Sequence, residues 1–177
     1  MSIKQIVFEQ LEKKEFDSLL ELFDRNPNIV RRYATMATYY TDDSLRDTAL
    51  EFFRFLSEKR AAIKPEYFRE TIRRHIWGMN EEGGNIDWSA PEIIGIIIAS
   101  EPDIFGEFAS IMLTAAIAEP IFHRGMFAAV RMIGLKNKNL IEYYLPKLQT
   151  FIDDKDPELA QLAQTVLGEI GYGVIDF

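Results

Sequence analysis

The sequence predicts an all-α fold in which short amphipathic helices pack as pairs into a solenoid. Two observations carry this prediction. Apolar residues recur at helical spacing through most of the chain, and no stretch shows the sustained alternation of a β-strand. Prolines that open helices recur at intervals of 38 and 37 residues, at Pro27, Pro65 and Pro102. A repeat of this length, with one antiparallel helix pair per unit, is typical of a helical solenoid.

The apolar stripes place ten helices along the chain. The segment 16–23, for example, carries large apolar residues at i, i+3, i+4 and i+7, the spacing that buries one helix face. The predicted helices span residues 4–13, 15–25, 28–40, 44–59, 65–78, 89–100, 102–116, 119–134, 138–152 and 157–170. They make about five helix pairs in one domain, 1–177. The alternative architecture is a compact multi-helix bundle, but the short loops and the fixed period favour the solenoid.

Several helix starts carry residues that satisfy the first free amides. Asn26 and Asp156 each precede a proline and are expected to cap the helix that follows. Ser89 and Glu92 match the capping-box pattern Ser-x-x-Glu. The sequence therefore predicts side-chain caps at these three starts.

The longest break in the helical pattern lies near the middle of the chain. It is predicted to be a loop insertion at about 78–89, and both tryptophans of the chain lie at or beside it. The apolar run Ile93–Ile98 follows and is expected to form the most enclosed helix, where Gly95 allows a neighbouring helix to approach closely. The apolar tail 172–177 is expected to fold back as a cap.

Three segments carry a resemblance to a known family. Residues 156–171 resemble a helix of a HEAT-like repeat, a family that favours the pattern acid-Pro-x-x-Arg-x-x-Ala-x-x-x-Leu-Gly-x-Ile-Gly. Residues 119–134 repeat the frame, and residues 29–40 are a weaker copy. The central Trp-x-x-Asn-Glu-Glu-x-Gly and Trp-x-x-Pro-Glu motifs resemble an uncharacterised microbial group of armadillo and PBS-lyase-type HEAT-like proteins. This resemblance implies a right-handed α-solenoid and carries over no activity.

Composition excludes several classes of protein. The chain has no cysteine, which rules out disulfides and thiolate chemistry. No apolar run approaches the length of about 20 residues that spans a bilayer, and residues 1–5 do not read as a secretion signal. A cytoplasmic protein without membrane contact or cofactor is expected.

Charge is distributed unevenly along the chain. The net charge of −8 disfavours general nucleic-acid binding, which depends on Lys and Arg. Residues 31–74 carry a net charge of +3, whereas residues 75–119 carry −8 and contain no Lys or Arg. The most basic part of the chain therefore adjoins the most acidic part.

The central loop concentrates the candidate binding residues. Two tryptophans that bracket a polar loop could line a binding recess. The alternatives are a purely structural loop, whose tryptophans pack on the helices, and a metal or small-ligand site built on its carboxylates. The candidates are Arg73, Arg74, Trp77, Asn80, Glu81, Glu82, Gly83, Gly84, Asn85, Asp87, Trp88 and Glu92.

The basic segment 31–74 supports an enzymatic alternative. Part of the HEAT-like family consists of alkylpurine DNA glycosylases, which use a basic concave face, tryptophans and an aspartate. The matching residues in this chain are Arg73, Arg74, Trp77, Asp87 and Trp88. His75 could extend the basic surface, although a lone histidine on a helix is more often structural or simply exposed. The acidic middle of the chain argues against this alternative because it would repel DNA.

The sequence thus favours a non-catalytic scaffold for a protein partner that carries basic residues. The partner is expected to dock on the acidic central repeats and the 77–92 loop. Trp77 and Trp88 would serve as aromatic anchors. Glu81, Glu82 and Asp87 would select for positive charge.

Overall fold

The computed structural model describes residues 1–80 and 86–173. These residues form eleven α-helices and four short 3₁₀ segments and contain no β-strand, which confirms the all-α prediction. None of the helices in this part of the chain is both long and apolar enough to cross a bilayer. The chain divides into two compact units, residues 1–63 and 64–177.

The first unit contains four helices around a core of large apolar side chains. They are α1 (Ile3–Glu12), α2 (Phe16–Arg25), α3 (Pro27–Ala37) and α4 (Asp43–Arg60). Helix α1 packs on α2, α3 and α4. Ser2 and Gln5 form a capping box at the start of α1, and Asp42 caps α4.

The second unit contains the remaining elements. Its helices are α5 (Pro65–Met79), α6 (Ala90–Ser100), α7 (Pro102–Phe105), α8 (Phe108–Ala118), α9 (His123–Lys136), α10 (Leu145–Gln149) and α11 (Pro157–Glu169). The 3₁₀ segments are Pro120–Phe122, Lys138–Leu140, Glu142–Tyr144 and Thr150–Asp153.

Helices of the second unit lie in two rows. Helix α5 packs beside α8 in one row, and α8 reaches Tyr144 on its other flank. In the other row α6 packs against α9, and α9 against α11. Helix α6 also contacts α5 and α8, so it joins the two rows.

Helix α6 is the most enclosed helix of the unit, as predicted. All five isoleucines of the run Ile93–Ile98 are buried. An added Cβ at Gly95 would lie 2.6 Å from Ala129 Cβ and 2.7 Å from Ala129 Cα. The predicted close approach at Gly95 is therefore confirmed, and α9 is the neighbour that approaches.

Two predicted helices are broken in the structure. The predicted helix 138–152 would have carried Pro146 in its interior, where proline lacks the N–H of the helical hydrogen bond. The chain instead uses 3₁₀ segments and restarts as α10, with Pro146 in its first turn. The predicted helix 102–116 divides into α7 and α8 at Gly106, a residue of low helix propensity that lies against Leu140.

One of the three predicted side-chain caps is confirmed. Asp156 accepts from the backbone N–H groups of Glu158 and Leu159. Desolvation acts to raise the pKa of Asp156, but these hydrogen bonds and Arg124 outweigh it and hold that pKa below its usual range. Asn26 makes no capping hydrogen bond, so its predicted role is wrong.

The predicted capping box of α6 is also wrong. Ser89 occupies the N-cap position but its side chain makes no capping hydrogen bond, because its backbone is already in the helical region, at φ −86° and ψ −2°. An N-cap residue normally needs an extended backbone to reach the amides of the first turn. Ser89 is instead buried.

Candidate functional site

The end of α5 and the start of α6 are held together by contacts of Asp87. The Asp87 N–H donates to the Gly78 carbonyl oxygen over 3.4 Å. A Cβ at Gly78 would lie 2.9 Å from Asp87 Cβ, so only glycine permits this approach without movement. Asn80 Nδ2 donates to the Ile76 carbonyl oxygen over 2.9 Å and so satisfies a carbonyl of the last turn of α5.

His75 and Asp87 form a buried pair beneath this backbone contact. His75 Nδ1 and Asp87 Oδ2 are 2.5 Å apart, and the side chains are 6% and 10% exposed. A carboxylate only accepts hydrogen bonds, so Nδ1 carries the proton and donates it. The expectation that His75 extends a basic surface is wrong, because the imidazole faces inward.

A sequence signal for this burial exists. His75 continues the buried stripe of α5 formed by Phe68 and Ile72, and Met79 follows it by one turn. The positions therefore repeat at helical spacing on the core-facing side. A histidine on such a stripe needs a buried partner, but the stripe does not say which residue supplies it.

Asp87 retains one buried oxygen without a partner. Its Oδ1 has no hydrogen-bond partner in the described chain. Leaving a buried acceptor unsatisfied costs about 1–3 kcal/mol. The unsatisfied oxygen therefore offsets part of the stability that the His75–Asp87 hydrogen bond contributes. Burial also removes Asp87 from the exposed charges that a partner could meet.

Exposed apolar side chains flank the buried pair. Trp77, beside Gly78, is 76% exposed, and Trp88, beside Asp87, is 48% exposed. Ile86, on the other side of Asp87, is 42% exposed. Asp87 is thus buried between two exposed neighbours. The interpretation in which both tryptophans pack against the helices does not describe Trp77.

The other predicted site residues have different surroundings. Arg73 and Arg74 are exposed on α5 and form ion pairs with Glu70 at 3.8 Å and 3.7 Å. Glu92 is half-buried in the first turn of α6, near Gly125 of α9. Five predicted binding residues lie outside the described residues: Glu81, Glu82, Gly83, Gly84 and Asn85.

Several cations of the basic segment 31–74 are paired with carboxylates. Arg60 in the first unit binds Asp24 at 2.6 Å, and this contact raises the pKa of the guanidinium. Arg69 in the second unit pairs with Glu66 and Glu107. These pairs lower the positive charge available to phosphates.

The described residues offer no clear metal centre. Over residues 1–80 and 86–173, no three His, Asp or Glu side chains converge in a way that could hold a metal ion. The second histidine, His123, lies with Nε2 3.0 Å from the Ile117 carbonyl oxygen and its ring against Phe151. Its environment is that of a packed side chain.

Comparison with known proteins adds no assignment. The chain matches no protein-family model, and no curated protein matches it.

Proposed function

We propose that this chain is a HEAT-like α-solenoid that serves as a non-catalytic scaffold for a protein partner carrying basic residues. The partner docks at the junction of α5 and α6, which we call the Trp77–Trp88 surface and define by Trp77, Ile86 and Trp88. The observation that carries the proposal is the exposure of these three large side chains around the buried His75–Asp87 hydrogen bond.

Exposed tryptophans on a fixed backbone favour recognition of a partner. Tryptophan is among the residues that most often dominate binding energy at interfaces. The His75–Asp87 contact holds the backbone next to Trp88 in place. A partner therefore does not lose binding free energy to order that backbone. Grouped exposed apolar side chains mark interaction surfaces more often than scattered ones.

The charge of the surrounding sequence supports a basic partner. No Lys or Arg occurs from residue 75 to residue 123. The carboxylates of Asp103, Glu107 and Glu119 are exposed in this part of the chain. A positively charged partner would be steered towards this region, and an acidic one would be repelled.

The packing of the second unit supports the solenoid. In a solenoid of helix pairs, first helices stack on first helices and second helices on second helices. The contacts α5–α8 and α6–α9–α11 follow this order. The proline spacing that predicted the repeat coincides with the starts of α3, α5 and α7.

The ion pairs of the basic segment favour the scaffold over the nucleic-acid alternative. Arg60, Arg69 and Arg73 each have a carboxylate partner in the chain. Binding phosphates would require those pairs to be exchanged. Duplex DNA that shifts with the protein in a gel at low salt would favour the alternative instead.

Affinity purification tests the proposed surface. Tagged wild-type protein, the Trp77→Ala/Trp88→Ala double variant and a Tyr143→Ala control are expressed at equal levels, and bound proteins are quantified by mass spectrometry. Tyr143 is an 86% exposed aromatic side chain outside the surface. We expect partners to be lost from the double variant and kept by the control. Recovery of the same partners with all three proteins would refute the site.

A further inference from the structure

Helix α5 runs in the same direction as the segment that leads into α8, as three contacts indicate. Arg69 of α5 donates from Nη2 to the Ile104 carbonyl oxygen over 3.3 Å, and its Nε lies 3.6 Å from a Glu107 carboxylate oxygen. One turn further along α5, the Arg73 guanidinium lies 5.8 Å from the centre of the Phe108 ring. From Arg69 to Arg73 along α5, the contacted residues advance from Ile104 and Glu107 to Phe108, so the two segments run in the same direction.

This alignment places an exposed apolar residue of α8 close to Trp77. Phe108 lies beside Arg73, and Ile111 follows Phe108 by three residues, about one helical turn. Trp77 follows Arg73 by one more turn. Ile111 is 49% exposed, and Trp77 is 76% exposed. The two side chains are therefore exposed at similar levels along neighbouring helices.

The other flank of α8 is covered. Tyr144 Oη donates to the Ser110 carbonyl oxygen over 2.9 Å and lies 2.9 Å from Thr114 Oγ1. Tyr144 thus occupies the side of α8 away from α5. Ile111 lies outside the part of α8 that Tyr144 covers, and it remains available to a partner.

Charge favours a cation at this end of the two helices. The last turns of α5 and α8 contain no basic residue, so neither helix carries a cation of its own at the negative end of its dipole. Glu119, which follows α8, is exposed. Lys or Arg of a partner would be stabilised at these helix ends.

We infer that the Trp77–Trp88 surface continues onto Ile111 of α8 and receives a basic amphipathic helix of the partner. This inference rests on the proposed function and names the form of the partner. Neighbouring helices lie about 8–10 Å apart. Apolar side chains on both therefore suit the i, i+3, i+4, i+7 stripe of a helix laid between them. Lys and Arg on the flanks of that helix would meet Glu119 and the last turns of α5 and α8, which lie beyond the pairs that Arg73 and Arg74 form with Glu70.

The probe is a fluorescein-labelled peptide of about 18 residues, in which Leu and Lys follow the amphipathic helical pattern. A second peptide has Glu in place of Lys, and a third has the same composition in scrambled order. Binding to the full chain is measured by fluorescence anisotropy. The protein variants are Ile111→Gln, Trp88→Ala and a control, Leu135→Gln, which changes a 56% exposed residue of α9.

We expect wild type to bind the Leu/Lys peptide more tightly than either control peptide. Ile111→Gln and Trp88→Ala should each weaken binding about tenfold, as loss of an interface anchor does, and Leu135→Gln should bind as wild type does. Circular dichroism checks that each variant is folded. If Ile111→Gln does not fold, Ile111→Ala, a good helix former, takes its place.

Other results overturn the inference in distinguishable ways. If Trp88→Ala weakens binding and Ile111→Gln does not, the extension onto α8 fails and the proposed function stands. If both variants bind as wild type does, both proposals fail. Equal binding of the Glu peptide refutes the basic partner. A wild-type dimer that Ile111→Gln dissociates, seen by light scattering, would assign the face to a second copy of the chain.

Discussion

His75 and Asp87 lie twelve residues apart, and their contact determines where the backbone runs between α5 and α6. The pair is buried, with Nδ1 and Oδ2 2.5 Å apart. Gly78 allows Asp87 to come this close. Gly78 and the His75–Asp87 contact thus hold the backbone that carries Ile86 and Trp88.

Breaking this pair should destabilise the chain strongly. His75→Ala leaves the Asp87 carboxylate buried without its donor, which costs about 3–5 kcal/mol for a buried pair. The free energy of unfolding, measured in urea, should fall by that amount. The double variant His75→Ala/Asp87→Ala should lose less than the sum of the single changes, since no charge is then left unpaired.

An exposed ion pair provides the control. Arg131 and Glu169 join α9 to α11, and their side chains are 53% and 38% exposed. Arg131→Gln should cost no more than about 1 kcal/mol. An equal loss of stability for His75→Ala and Arg131→Gln would mean that the buried His75–Asp87 pair contributes little to the free energy of unfolding.

At the scale of elements, the contact between α6 and α9 shows how small residues set helix packing. Gly95 faces Ala129 so closely that a single added methyl group would overlap it, with 2.6 Å between the two Cβ atoms. Close packing of this kind brings the isoleucines of α6 into contact with α9. It leaves no room for a larger residue.

Gly95→Ala should therefore destabilise the chain, although alanine is the better helix former by about 1 kcal/mol. We expect a net loss of about 1–3 kcal/mol, the usual cost of overpacking a core. The matched control is Gly168→Ala in α11, where an added Cβ meets nothing within 4 Å. That variant should be as stable as wild type or more so in thermal unfolding. Stabilisation by both changes would contradict the packing described here.

The sequence predicts helices well where an apolar stripe is long, and poorly where local chemistry interrupts it. Helices α4, α5 and α11 lie within one residue of their predicted bounds at each end. The predicted helix 138–152 is wrong because the prediction followed the apolar spacing and gave no weight to Pro146. Proline inside a helix removes a backbone hydrogen bond and clashes with the preceding turn. Ser89 matched the capping pattern, but a cap depends on backbone angles that the pattern does not contain.

The location of the candidate site could be anticipated, but not its internal contacts. Trp77 and Trp88 stand out because they are the only tryptophans and border the longest break in the helical pattern. The burial of Asp87 could not be read in the same way, because an aspartate in a polar loop normally faces water. Only the fold brings it to His75. The role of Ile111 depends on the alignment of α5 with α8, which periodicity does not give.

At the scale of the whole molecule, the chain divides into two compact units, residues 1–63 and 64–177. The second unit buries its own set of large side chains, among them Phe68, Phe105, Phe122 and Phe127. The candidate site and its proposed extension lie entirely within residues 64–177. A segment of this length is within the usual size of an independent domain.

A fragment of residues 64–177 should therefore fold without the first unit. Its circular dichroism spectrum should be helical, and thermal unfolding should be cooperative. The Leu/Lys peptide should bind the fragment as it binds the full chain. A fragment that is helical but unfolds without a cooperative transition would show that its core needs residues 1–63.

The isoleucine run of α6 has a consequence for the chain before it is folded. Ile93–Ile98 contains five β-branched residues and no charge, the composition of segments that assemble into intermolecular β-sheets. The run is bounded by Pro91-Glu92 on one side and Glu101-Pro102 on the other. Proline and charge at the flanks oppose strand pairing, as gatekeeper residues do. The residues that open α6 and α7 in the native state thus also protect the nascent chain from aggregation.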